Sequence, residues 1–189
     1  PIMTHRHLGY NYPIVNVGHP DIVHTKNDEW FMVLLASRPY GGYYRNLGRE
    51  TFLVPFTWEN GWPVINPGKG IVEDTVVAPN LPLYEVPEVA KREDFDCNQL
   101  PYHFIYLRNP KLEDYSLTER PGWLTMKLSP VTLEQRENPS AVLVRQQSMD
   151  FTASTKLDFA PSNDKEEAGL ILHQSQDFNY QFLVGLNSI

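Results

Sequence analysis

An all-β fold is what the sequence predicts, and three observations predict it. Aromatic residues make up 12% of the chain, with Trp, Tyr and Phe all well used, and such side chains suit pleated, half-buried strands. Sixteen prolines and eleven glycines in 189 residues cut the chain into short elements rather than long helices. Between those breaks lie apolar or alternating runs of strand length. A hydrophobic content of 41% and a charged content of 21% are those of a folded globular protein and argue against wholesale disorder.

The elements follow in order. Trp30-Phe31-Met32-Val33-Leu34-Leu35-Ala36 is a seven-residue apolar run after the polar turn Lys26-Asn27-Asp28-Glu29. Its length and boundaries predict a strand buried on both faces. Thr51 to Trp58 is the next predicted strand, and Pro55 within it calls for an edge or a bulge, because proline has no N–H to donate. Glu59-Asn60-Gly61 carries the Asn-Gly hairpin signal, and Trp62 to Ile65 returns. Pro79, Pro82 and Pro87 then alternate with Leu81, Leu83 and Val86 ahead of Lys91-Arg92-Glu93-Asp94. This composition predicts an extended linker over 79–93 between a first domain, 1–78, and a second, 94–189.

In the second domain the predicted strands are Tyr102–Leu107, Gly122–Leu128, Ala141–Gln147, Phe151–Phe159, Ala168–His173 and Tyr180–Leu186. The turn clusters Arg120-Pro121-Gly122, Glu137-Asn138-Pro139-Ser140 and Pro161-Ser162-Asn163-Asp164 separate several of them. Short strands at this spacing predict an antiparallel β-sandwich.

Charge excludes some partners. Net charge is −7, and residues 79–189 carry most of it, with ten Lys/Arg against sixteen Asp/Glu. An acidic surface without a basic stripe is a poor match for nucleic acid or an anionic membrane, and no apolar run approaches the roughly 20 residues that span a bilayer. Cys97 is the single cysteine, so an intrachain disulfide and a cysteine-based metal cluster are both excluded; either a cytoplasmic or a periplasmic setting is compatible. The chain opens Pro1-Ile2-Met3-Thr4 without an initiator methionine, which predicts a processed product or an excised piece. A Gly-rich phosphate loop, a Gly-x-Ser-x-Gly elbow and a His-Glu-x-x-His pair are all missing from the sequence.

Two sets of motifs carry a family resemblance. Gly18-His19-Pro20-Asp21, and the stretch from Asn46 to Gly68 with Leu47-Gly48-Arg49-Glu50-Thr51-Phe52-Leu53 at its head, resemble the last part of the catalytic propeller of family 43 glycoside hydrolases. The β-xylosidases and α-L-arabinofuranosidases are the most similar members. Leu107-Arg108-Asn109-Pro110, Asp114 to Leu124, Asp150 to Thr155 and Glu167 to Leu172 resemble the concanavalin-like sandwich appended to such β-xylosidases. The two resemblances stand in the family's order. They imply the end of a five-bladed β-propeller followed by a concanavalin- or laminin-G-like antiparallel sandwich, both incomplete, with a break at Asn187-Ser188-Ile189. Strand edges left unpaired by such a cut need cover from the remaining segments of a parent enzyme or from another chain.

The resemblance implies a glycosidase that removes terminal β-xylosyl or α-L-arabinofuranosyl units from xylo- or arabino-oligosaccharides by inversion. That chemistry uses an acid and a base carboxyl roughly 6.5–9.5 Å apart and no cofactor; calcium in the propeller cavity is compatible with it. The family's catalytic carboxylates precede the region seen here, so this chain is expected to hold no catalytic residue, and Asp21 and Glu50 are not assigned that role.

His19 and Arg49 are the expected substrate-binding residues. By the resemblance, His19 lies in the central cavity near the sugar, where an imidazole can bond a hydroxyl; taken alone, it reads more readily as a hydrogen-bonded structural histidine at a strand entry. Arg49, at the head of an apolar strand, is expected to point to the propeller axis and fork onto two hydroxyls or a catalytic carboxylate. The competing reading is an Arg49–Glu50 ion pair of structural value only. Glu50 should alternate to the opposite face. Trp30, Trp58, Trp62 and Trp123 are read as packing residues, and His5 with His7 as an alternating pair only weakly like metal ligands. A second functional class remains open: a sandwich that binds carbohydrate or merely braces an active site, with bracing favoured by the lack of an evident aromatic row in 94–189.

Overall fold

The computed structural model describes residues 1–186; the expected break at Asn187–Ile189 lies outside the described residues. The chain divides into two compact units, one comprising Pro1–Pro87 with Gln146–Phe151, the other Glu88–Arg145 with the chain from Thr152 onward. Residues 81–92 are exposed throughout and form neither strand nor helix.

The first unit is built on one four-stranded antiparallel sheet, β1 (Val15–His24), β2 (Trp30–Ser37), β3 (Glu50–Glu59) and β4 (Trp62–Ile65), in sequence order. Such a meander is the unit from which propeller blades are made. As the apolar run predicts, no residue of β2 is exposed. Met32, Leu34 and Ala36 share one face and oppose Val54, Phe52 and Glu50 of β3. Met32, Leu34, Ala36 and Val54 make the core with Ile14, Phe56, Ile65 and Val72, while Met3, Tyr12, Val17, Trp30 and Phe52 pack around it. The Asn-Gly signal is realised: Asn60 and Gly61 have φ of 51° and 77°, the left-handed pair that a two-residue I′ hairpin requires, and Glu59 pairs with Trp62.

Pro55 finds its edge inside the sheet. β3 pairs with β2 over Glu50–Pro55 and with β4 only over Phe56–Glu59. The Pro55 carbonyl accepts from the Asn66 N–H at 2.8 Å, on the β4 side. In an extended residue the N–H would face the same way, just past the end of the β4 ladder. No ladder bond is lost there.

The sequence reading missed β1 as a strand, and its register explains why. Val15 pairs with Ser37, Gly18 with Leu35 and Asp21 with Val33, with an irregularity in each interval. Each time β1 spends one residue more than β2, a β-bulge, and each bulge contains a left-handed residue, Asn16 at φ 56° and His19 at φ 49°. Two extra residues in one strand destroy the period-2 pattern.

A buried histidine closes this unit. His5 is 5% exposed; its Nδ1–H donates to the Ile14 carbonyl at 2.8 Å and its Nε2 accepts the Val72 N–H at 3.0 Å. A carbonyl only accepts and an amide only donates, which fixes the tautomer. Asn66 holds the loop that presents Val72: its Nδ2 donates to the Ile71 carbonyl and to Glu73. Arg6–Leu8 forms a 3-10 turn instead of an alternating strand, and His7 is exposed. With both nitrogens of His5 engaged, the weak metal-pair reading is corrected.

The second unit is all-β as predicted, in three two-stranded antiparallel ladders: β5 (Phe104–Tyr106) with β8 (Val142–Val144), β6 (Tyr115–Ser116) with β7 (Thr125–Met126), and β9 (Glu167–His173) with β10 (Asn179–Gly185). A Cβ on Gly169 would drive into the Phe182 carbonyl and lie 2.9 Å from Leu183 Cα, so only glycine fits that crossing. Tyr115 Oη accepts the Ala141 N–H at 3.1 Å, and burial pushes its phenol above the usual tyrosine range.

Two expectations are corrected in this unit. Phe151–Phe159 forms no strand; it straddles the division between the two units, and its described ties are side-chain ones, Arg120 to Asp158 at 2.5 Å and Lys156 over the Trp123 ring at 5.0 Å. An exposed aromatic row does exist, because Phe178, Tyr180 and Phe182 all stand out to solvent. Among the tryptophans of the whole chain, Trp30 packs against the core, Trp58 sets its ring edge-on to Trp30 and Phe56 while partly exposed, Trp62 is exposed, and Trp123 lies under the Arg120 guanidinium at 3.9 Å.

Candidate functional site

One end of the four-stranded sheet gathers the residues that could handle a ligand. β1 and β3 run in the same direction on either side of β2. Val15, at the start of β1, pairs with Ser37; Glu50, at the start of β3, pairs with Ala36. The beginnings of β1 and β3 and the connection 38–49 therefore share that end.

His19 is placed on β1, an edge strand of the sheet, one residue past the Gly18–Leu35–Thr51 row. It is exposed, and its positive φ at a bulge re-aims the side chain away from strand alternation. A non-glycine residue in that region costs on the order of 1–3 kcal/mol and is found preferentially at functional sites. The sequence motif pointed to the residue. The bulge that turns it was not legible.

Arg49 sits in the bend immediately before β3, not within the strand, and is exposed. The structural reading of an Arg49–Glu50 pair is overturned. Glu50 bonds Arg38 instead, with Oε1 accepting from Nη2 at 2.6 Å and Oε2 from Nε at 3.1 Å. Twelve residues separate the partners in sequence, but the β2–β3 register brings the end of one strand beside the start of the other. No hydrogen bond, ion pair or ring contact engages Arg49 among the described residues, so its five donors are available.

The Arg38 guanidinium holds the Glu50 carboxyl below the usual glutamate range, and Glu50 in turn raises Arg38. A carboxylate whose folded pKa is depressed stabilises the fold above its unfolded pKa, and the contribution is lost as pH falls through the folded value. Arg38 is half exposed and Glu50 is not, so screening limits the pair to no more than about 1 kcal/mol. Glu50→Gln should flatten the acid limb of stability against pH without changing the plateau by more than that; an acid limb identical to wild type would remove the assignment.

Arg38, Glu50, Thr51, Phe52, Leu53, Glu73, Asp74 and Val76 line a shallow groove along the part of β3 that β4 leaves unpaired. Among the described residues no three His, Cys, Asp or Glu side chains form a group that could hold a metal ion. Calcium asks for six to eight oxygen ligands, so the residues present do not fit it by themselves, and no step is derived through it. Likewise among the described residues, no helix is long and apolar enough to cross a membrane.

His19, turned outward at a bulge in the middle of β1, and Arg49, uncommitted just ahead of β3, thus lie on the first and third strands of a blade-like sheet, in the half nearer the 38–49 connection. Residues 92–188 match the beta xylosidase C-terminal concanavalin A-like domain, and residues 1–63 match glycosyl hydrolases family 43. A xylosidase/arabinosidase of Butyrivibrio fibrisolvens is 43% identical over 97% of this chain and 36% of its own length. A non-reducing end alpha-L-arabinofuranosidase of Bacteroides ovatus is 39% identical over 92% of this chain and 33% of its own. Among solved structures, the Bacteroides ovatus xyloglucan PUL GH43B protein superposes with a TM-score of 0.91 at 37% identity, over 97% of this chain and 36% of that one. The GH43 protein of Bacillus licheniformis gives 0.86 at 33%, over 99% and 36%. The chain belongs to glycosyl hydrolase family 43. It carries the end of a propeller and a concanavalin-like sandwich, and spans about a third of the length of these relatives.

Proposed function

We propose that this chain supplies part of the terminal-sugar subsite of an enzyme that removes β-xylosyl or α-L-arabinofuranosyl units from neutral oligosaccharides by inversion. His19 and Arg49 bind the sugar. Arg49 forks onto two adjacent hydroxyls or onto the base carboxylate, and His19 accepts from or donates to a third oxygen. The observation that carries the reading is the uncommitted Arg49 guanidinium ahead of β3, in the same half of the sheet as the bulged His19 on β1. The chemistry needs no cofactor, calcium in the propeller cavity of the whole enzyme is compatible with it, and the segment 79–93 serves as the linker between propeller and sandwich.

The sandwich braces rather than binds. Tyr180, Phe182 and Val184 oppose Leu172, Leu170 and Ala168, which makes a continuous apolar face of the type a second sheet covers.

In this reading the catalytic carboxylates belong to other parts of the enzyme. A full-length enzyme carrying this chain should release pentose from nitrophenyl xyloside or nitrophenyl arabinofuranoside, while the 189-residue chain alone should release none. Loss of a general acid or base typically costs about 10²–10⁴-fold, and here both are absent together. Inactivity of the whole enzyme on both substrates would sink the family-based reading. Turnover by the isolated chain would show that the reactive residues lie within it.

A further inference from the structure

Four of the ten tyrosines in the chain collect at the end of the sheet that carries Arg49, and nothing above uses them. Tyr40, Tyr43 and Tyr44 lie in the β2–β3 connection, and Tyr10 lies ahead of β1. All four are exposed, Tyr10 at 78% and Tyr43 at 68%. The connection is nonetheless held by its own backbone. Tyr40 N–H donates to the Tyr44 carbonyl at 2.7 Å, and Tyr44 N–H returns to the Tyr40 carbonyl at 3.0 Å. Gly41 and Gly42 take φ of 56° and 80° at the tip, a conformation that residues with a Cβ adopt only with strain. Tyr10 and Tyr43 stack at 6.4 Å with 27° between their planes, and the Arg45 guanidinium stands 6.0 Å over Tyr43.

Rings displayed to water on a self-braced turn retain little freedom that a ligand would still have to remove, which favours binding there. The chemistry on show is apolar ring faces edged by phenol hydroxyls and by an arginine fork engaged in no ion pair among the described residues. A pyranose matches it, with C–H bonds on its faces and hydroxyls around its rim. A charged ligand does not, since residues 1–78 are near electrical balance, with six Lys/Arg against seven Asp/Glu.

We propose that Tyr10, Tyr40, Tyr43, Tyr44 and Arg45 form an accessory saccharide subsite, which takes the sugar units of an oligosaccharide beyond the terminal one bound at His19 and Arg49. The assignment rests on the reading of that terminal-sugar site, since it is Arg49 that shares the 38–49 connection with the tyrosines.

Amide-resolved NMR of the 189-residue chain, titrated with xylotetraose and separately with xylose, tests it. Xylotetraose should shift the Tyr10 and Gly41–Arg45 amides. The double variant Tyr10→Ala/Tyr43→Ala should bind it roughly tenfold more weakly, as expected for two lost ring contacts, with the amides of Met32, Val54 and Val72 reporting an intact core. Unmoved turn amides at saturating xylotetraose overturn the proposal, as do shifts that persist in the double variant. Turn amides that move with protein concentration instead of sugar also overturn it, because the occupant is then a second copy. The terminal-sugar reading fails separately: xylotetraose shifts at the turn with none near His19 and Arg49 for either sugar keep the tyrosine subsite and remove that site.

Discussion

Arg49→Ala in a full-length enzyme carrying this chain should lower kcat/KM by well over tenfold and leave the melting temperature unchanged. A charge-assisted hydrogen bond lost from a desolvated site is worth roughly 1.5–3 kcal/mol, and about 1.4 kcal/mol is already tenfold. Thermal stability should hold because Arg49 is exposed and Glu50, its neighbour, is bonded to Arg38. Arg49→Lys should recover little, since one ammonium cannot span two acceptors in a plane as a guanidinium does. Arg38→Ala is the control with the opposite signature, a modest fall in stability from the freed Glu50 with efficiency much less affected. If Arg49→Ala instead lowers the melting temperature and keeps near-normal efficiency, Arg49 is structural and the site reduces to His19.

The difference between what was legible and what was not follows from which interactions are local. β2 was readable because seven consecutive apolar residues, Trp30–Ala36, need burial wherever they sit in the sheet. The β3–β4 hairpin was readable because Asn60-Gly61 carries its own turn geometry. β1 was hidden because its bulges at Asn16 and His19 are defined only against the β2 register. Arg49 could be picked out as a residue, but its freedom could not, since that depends on Arg38 reaching Glu50 across the β2–β3 connection. Phe151–Phe159 had enough alternation to suggest a strand, yet a strand exists only where a partner supplies the ladder, and the described ties of this segment are side-chain ones. The tyrosine turn left a signal in Tyr40-Gly41-Gly42-Tyr43-Tyr44, a glycine pair between aromatics, but its meaning came from the stacking of Tyr10, which lies thirty-three residues away from Tyr43.

His5→Phe should destabilise the 189-residue chain by about 2–5 kcal/mol in urea unfolding, because two buried backbone groups lose their partner at about 1–3 kcal/mol each. The substitution keeps the ring against Tyr12, whose centroid is 5.2 Å away at 88°, so the loss is polar and not a cavity effect. The Ile14 carbonyl and the Val72 N–H are the orphaned groups; both residues belong to the core cluster, where water cannot easily replace the imidazole. His5→Gln, which retains one donor and one acceptor, should recover part of the loss, and the Val72 amide should exchange faster in His5→Phe than in either of the other proteins. The effect should spread beyond these contacts. His5 joins the segment before β1 to the loop after β4, with Tyr12 Oη donating to the Val72 carbonyl at 3.5 Å beside it, so that the first and last parts of the sheet are tied by side chains rather than by a strand. A wild-type unfolding midpoint in His5→Phe would mean that Ile14 and Val72 are held by packing alone and that the histidine is dispensable.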